Sequence, residues 1–133
     1  MTYVDVERLL VGHLKTVLTP TRVGTDTPAN LATALPFVQV TRFGGSDDVP
    51  SIDRATVDID CYAATRSAAS ALAEQIRSTL RFATVGLILD GALVVAVSTI
   101  VGPAWRPYEN TGVRRHGASY ELIIQSRMEG IPT

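Results

Sequence analysis

Cysteine is nearly missing from this chain: among 133 residues only Cys61 occurs. An intrachain disulfide is therefore impossible, no multi-cysteine metal site can form, and a reducing compartment suits the protein. Histidine is scarce as well, with His13 and His116 alone and far apart in sequence. Closed zinc sites want four ligands, and no matching carboxylate motif accompanies either histidine. Lys15 is the sole lysine among 12 basic residues. With abundant alanine, that skew fits the codon usage of a GC-rich genome, so arginine alone says little about function. An excess of either charge is absent too. The formal net charge is -1 and the pI near 6.1, which gives no overall pull toward DNA or an anionic membrane. The richest apolar stretch, Val85 to Val101, is interrupted by Gly86, Asp90, Gly91, Ser98 and Thr99 and is too polar for a membrane span. Asp5, Glu7 and Arg8 stand where a signal peptide would place a basic and then an apolar block, so no signal peptide is expected and the chain reads as cytosolic.

What is present describes a folded protein. The hydrophobic fraction is 46% and the charged fraction 19%. The length predicts one domain, residues 1–133, burying roughly 65–70% of its extended-chain surface.

Periodicity supplies the elements. Val6, Leu10, Leu14 and Val17 recur at helical spacing, predicting a helix over 3–18 with Thr2 as its cap and Pro20 beyond its end. "TRVGTDTP" holds a short edge strand. "PFVQVTRFGG" predicts a strand over 37–43 closed by its glycine pair, and "SDDVPS" a polar turn. Over 53–63, Ala55, Val57, Ile59 and Cys61 take one face while Thr56, Asp58, Asp60 and Tyr62 take the other. Thr65 caps an alanine-rich helix whose buried stripe is Ala69, Leu72, Ala73, Ile76 and Leu80. Asp90-Gly91 between apolar runs signals a two-residue hairpin. A strand over 92–101 follows, apolar on both faces, and a last one over 113–127 turns Ala118, Tyr120, Leu122 and Ile124 to one side. The order predicts an α+β fold: a mostly antiparallel β-sheet with two α-helices packed on one face.

Few residues offer chemistry. Cys61 with His116 or His13 suggests a thiol nucleophile, but its phase with Val57 and Ile59 points it into the core. His13 borders the first helix's apolar stripe, which needs no ligand role. Asp58 and Asp60 share a strand face, with carboxylates about 7 Å apart from the strand rise. Such a pair binds metal or does acid–base work when a third ligand joins it; alone it reads as a polar face with arginine partners on a neighbouring strand or subunit. Gly44-Gly45 lacks a following helix with Lys-Ser or Lys-Thr, and neither GxSxG nor a dinucleotide fingerprint occurs, so no cofactor is implied. Between Val101 and Gly112, Trp105 lies between Pro103 and Pro107, with Arg106 and Tyr108 beside it. Trp, Tyr and Arg dominate interface anchors, and prolines lower the entropy lost when a loop docks. The alternative is that Trp105 folds back to plug the end of the sheet. Arg114 and Arg115 alternate to opposite sides, each able to meet a carboxylate of an adjoining chain. The unfinished side of the 92–101 strand calls for cover, which a second copy would supply.

"DRATVDIDCYAATRSAASALAEQIRSTL" followed by "GPAWRPYENTGVRRHGASYELIIQSR" resembles the tail terminator proteins of long-tailed bacteriophages. The shared pattern is a Val-Asp-Ile-Asp-Cys-Tyr-like strand end, an Ala-rich helix with a Leu-Ala-Glu-Gln-Ile-Arg core, a Gly-Pro-x-Trp-x-Pro-Tyr loop and an Arg-Arg-x-Gly-Ala-x-Tyr strand. It runs over about residues 36–127 and includes the N-terminal helix; His116 departs from it where an aromatic is expected. The resemblance implies a non-enzymatic virion protein of the tail or neck, made in the host bacterial cytoplasm. It implies a homohexameric ring that caps the tail tube, ends its polymerisation and meets head-completion or connector proteins, with DNA passing through the lumen without sequence-specific binding. Asp58, Asp60, Trp105, Arg106, Tyr108, Arg114 and Arg115 are then subunit or tube contacts, and the loops 44–50 and 102–112 the docking segments. Rival readings are another head–tail connector or head-closure protein, a tube subunit, an enzyme built on Asp58, Asp60 and His116, and a single-stranded nucleic-acid module using Arg106 and Tyr108.

Overall fold

Period-two alternation makes the centre of the molecule. Ala55, Val57, Ile59 and Cys61 on β3 (Ile52–Ala63) and Ala118, Tyr120, Leu122 and Ile124 on β6 (Arg114–Gln125) are all buried on one face, and the two strands pair antiparallel along their whole length. The computed structural model describes residues 2–110 and 112–126. Around the central pair, β2 (Phe37–Ser46) joins β3 and β5 (Ala92–Trp105) joins β6, both antiparallel. Short strands end the sheet: β1 (Arg22–Gly24), parallel to β2, and β4 (Ile88–Leu89), in the hairpin with β5. The order is β1-β2-β3-β6-β5-β4. Both α1 (Val6–Val17) and α2 (Arg66–Ser78) pack their stripes on the face formed by Val38, Val57, Ile59, Tyr120 and Leu122. The fold is therefore α+β, with the helices on one side and the other side of the sheet left largely bare. Among the described residues no helix is long and apolar enough to cross a membrane.

Local chemistry sets the boundaries. Asp5, not Thr2, caps α1: its carboxylate accepts from Arg8 N at 3.2 Å, so Tyr3 and Val4 stay outside the helix. Leu9 is buried with Val6, Leu10 and Leu14, while Val17 is exposed. Thr65 caps α2 through Ala68 N, as its sequence predicts. Residues Thr79–Thr84 continue α2 as a wider π-helical turn, in which Thr84 Oγ1 donates to the Thr79 carbonyl at 3.0 Å and meets His13 Nε2 at 2.9 Å. Asp90 and Gly91 both have positive φ (50° and 78°), the backbone of a primed hairpin turn.

Three further expectations are corrected. The glycine pair does not end β2. The strand runs through it to Ser46 with a bulge between Arg42 and Gly44, because Gly45 lies so close to the Arg54 carbonyl that only a residue without Cβ keeps the pairing. Likewise β5 does not stop at residue 101. It reaches Trp105, absorbing Pro103 through register shifts on a strand whose outer rim needs no N–H at that point. Tyr62, expected to face solvent beside Asp60, is only 2% exposed. Leu31, Phe37 and Val113 close over it, Tyr108 stacks edge-on at 5.3 Å, and its hydroxyl donates to Gln39 Oε1 at 2.8 Å. The predicted end of the last strand at Arg127 lies outside the described residues. Gly45→Ala is expected to destabilise the protein by roughly 2 kcal/mol, the size of an overpacked close contact, seen as a lower urea midpoint with unchanged slope.

Candidate assembly surface

The candidate residues read from the sequence gather at one end of the sheet, on both of its faces. Register places Asp60 beside Gly117 and Gly117 beside Ala104; Cys61 sits beside His116 and His116 beside Trp105.

On the bare face, Arg106 leaves the end of β5 and crosses over β6 to reach β3. Its Nη1 donates to Asp60 Oδ1 at 3.0 Å, and its Nη2 lies 3.8 Å from Asp58 Oδ1. The crossing is possible because residue 117 is glycine: a Cβ there would strike both Asp60 Oδ1 and the Arg106 side chain. Ser119 Oγ donates to Asp58 Oδ1 in a short hydrogen bond. The two aspartates thus share a guanidinium of their own chain, on a strand two removed. Burial raises the Asp60 carboxyl above the ordinary carboxylate value, against the opposing pull of Arg106 and Arg115. Arg115, on the same face, donates to the Pro107 carbonyl at 2.9 Å and lies over the Tyr108 ring at 5.3 Å. This ties the chain down at Pro107 and Tyr108. Arg114 stands half-buried opposite Ala63, on the other side of the strand.

On the helix face, the half-buried Trp105 ring packs edge-on against His116 at 5.8 Å, and Arg66 from the start of α2 lies over it at 4.8 Å. The tryptophan folds back on the sheet's end. Cys61 and His116 are cross-strand neighbours, the juxtaposition a thiol nucleophile requires. The chemistry is wrong for one: Cys61 is 1% exposed with its thiol pushed up to about 12 by burial, and burial and Arg66 push the His116 imidazole down. Neither group is held in its charged form. Among the described residues no three His, Cys, Asp or Glu side chains converge as metal ligands.

The rims of the sheet carry features that sequence reading missed. Residues skipped at the bulges, Phe43 on β2 and Val95 and Ile100 on β5, are all exposed hydrophobics. Beside β5, an open groove is lined by Arg77 and Arg81 of α2 and its extension, with Phe82 at its edge 88% exposed.

Residues 2–115 match the family described as phage tail termination protein. The chain belongs to that family. It is accordingly a structural protein of phage tails. No curated protein matches it. Among solved structures, a chain of the virion of a native gene transfer agent particle is similar with a TM-score of 0.61 and 17% identity. The likeness covers 85% of this chain and 84% of that one, and at that identity it speaks for the fold.

For this tail termination protein, one signal in the sequence marks a close approach here, the glycine inside the last strand's pattern. It does not name Arg106, whose place one residue past β5 emerges only once that strand is seen to reach Trp105. Gly44-Gly45 is a sequence signal for the bulge on β2, but none marks those on β5, which depend on register against a partner strand.

Arg106→Ala removes the guanidinium that contacts Asp58 and Asp60, leaving only the lesser pull of Arg115 on Asp60, and should cost about 2 kcal/mol, given that the site is only partly desolvated. The sign with pH is fixed. A carboxyl whose folded pKa is raised contributes stability that is whole below its ordinary pKa and lost as pH rises through the folded one. Removing Arg106 raises Asp60 further, so the variant's deficit should grow from mildly acidic to neutral pH, and adding Asp60→Asn should recover most of it in urea titrations. Separately, Cys61 should react with an aromatic disulfide reagent only at the rate of global unfolding.

Proposed function

We propose that this chain is a tail terminator subunit whose copies close into a hexameric ring on the finished tail tube. The ring ends tube polymerisation, offers its far surface to head-completion or connector proteins, and lets genomic DNA through its lumen without reading its sequence. The subunit acts as one domain, is made in the host cytoplasm and is incorporated at the neck of the virion. Membership of the tail termination family over residues 2–115 carries this reading.

The geometry supports it physically. Helices cover one face of the sheet, while both long rim strands are only partly paired: β1 reaches Phe37–Gln39 of β2, and β4 only Ala92 and Leu93 of β5. Two different unfinished rims suit a head-to-tail contact, which repeats from copy to copy and ends growth when the rotation closes. Trp105, Arg106, Tyr108 and Arg115 stand together at one end of the sheet. We assign that end, with Asp58, Asp60 and Arg114, to contact with the tube or a neighbouring subunit. The bridge to Arg106 makes Asp58 and Asp60 part of its framework.

Mixing purified protein with polymerising tube subunits tests the reading. The expected result is tubes whose elongation stops, each with a ring at one end by electron microscopy, and a ring mass six times the 14.2 kDa subunit. Unchanged tube growth with no terminal density overturns it. Arg115→Glu, which reverses charge at a residue that also holds Pro107 and Tyr108, should lower the fraction of capped tubes several-fold while circular dichroism and the urea midpoint show the subunit still folded.

A further inference from the structure

The two rims of the sheet are complementary at the same height. Pairing across the sheet lines up Gly44 with Thr56, Glu121 and Ser98, then Gly45 with Ala55, Leu122 and Val97, then Ser46 with Arg54, Ile123 and Ala96. A neighbouring copy related by rotation about an axis along the strands therefore brings its 44–46 segment level with residues 96–98.

Their chemistry also matches. The turn beyond β2 carries Asp47 and Asp48, with Phe43 and Val49 more than half exposed beside them. Of the nearby cations, Arg42 is held bidentate by Asp53 at 2.6 and 2.7 Å, and Arg54, opposite Ser46, lies 4.0 Å from Glu121, so the turn stays acidic. At the opposite rim, the groove between α2 and β5 presents Arg77 and Arg81 against the single acid Glu74, which lies 3.8 Å from Arg77. Phe82, Ile100 and Val101 supply exposed apolar surface around it. Backbone pairing is blocked at this height, because Arg81 Nη1 donates to the outward carbonyl of Val97 at 2.7 Å and β5 bulges on both sides of it. A partner here is gripped by side chains.

We propose that the occupant is a second copy of this chain. The acidic 43–51 turn of one subunit seats in the α2–β5 groove of the next, setting Asp47 and Asp48 against Arg77 and Arg81 and covering Phe82 with Phe43 and Val49. The proposal rests on the ring reading above and assigns its seam. Like charges would meet if either surface faced its own kind, so the contact is directional and admits only head-to-tail addition.

The test uses the full chain and reads ring formation by light scattering and electron microscopy, with and without tubes. Reversing the turn (Asp47→Arg with Asp48→Arg) or the groove (Arg77→Asp) should each weaken assembly about tenfold or more, and combining the two should restore much of it. Circular dichroism checks the fold, and Arg81 is left intact because it caps Val97. As a second readout, Asp48→Cys with Ser78→Cys in one chain should give an oxidised ladder from dimer to closed ring, Cys61 being buried. Rings that form undiminished in both reversals, or a cysteine pair that stays monomeric while wild type forms rings, overturn the seam alone. A wild type with no ring in solution or on tubes overturns the ring reading and this seam together.

Discussion

Twelve residues of β3 pair with β6 without a single register shift, and the rest of the molecule is referred to that ladder. It fixes which side chains face the helices, and so makes the core from Val57, Ile59, Tyr120 and Leu122. It also fixes which face the other way, and so lays Asp58 and Asp60 beside Gly117 and Ser119. A slip of one residue would exchange the two sets, burying two carboxylates under α2. Shifts are confined to the outer pairings, β2 with β3 and β5 with β6, where they cost no core contact and turn apolar side chains outward.

The rigid centre and the irregular rims therefore have separate tasks. The centre resists deformation, because interiors packed at crystal-like density transmit strain rather than absorb it. The rims break the regular hydrogen-bond edge that would otherwise invite indiscriminate strand pairing. Bulges at Phe43, Val95 and Ile100, Pro103, and the Arg81 cap on the Val97 carbonyl all act in that sense. What they leave is a surface recognised by shape and charge, which admits fewer wrong partners than a bare strand does.

Much of this is legible in the sequence, and the boundary of legibility is physical. Alternation over residues 55–61 and the alanine stripe of α2 are local properties, so fold class, helix placement and the burial of Cys61 follow from them directly. Asp90-Gly91 is legible because its turn has its own backbone requirement. Tyr62 is not, since its burial depends on Leu31 and Val113 arriving from distant segments. Trp105 reads as loop because two prolines flank it, yet at the rim of a sheet a proline removes no needed donor. Among the candidate site residues, Asp58 and Asp60 are legible as a pair on one face. Their partner is not, because Arg106 reaches them across an intervening strand through a gap that only Gly117 leaves open.

Where binding energy is available then follows from which groups are already satisfied. On the bare face Asp58 has Ser119, Asp60 has Arg106, Tyr62 has Gln39 and Arg115 has Pro107. A partner docking there exchanges bonds already made for others of similar strength, and the net gain is small. At the rims the accounting differs. Phe82, Phe43, Val49 and Ile100 are exposed to water, and covering such surface returns about 25 cal/mol for each Å² removed from solvent. Affinity is thus concentrated on two surfaces at opposite ends of one sheet, unlike in chemistry and level in height. Such a distribution suits the proposed head-to-tail ring better than stacking face to face. In that ring the sheet's bare face is the surface left for the tube.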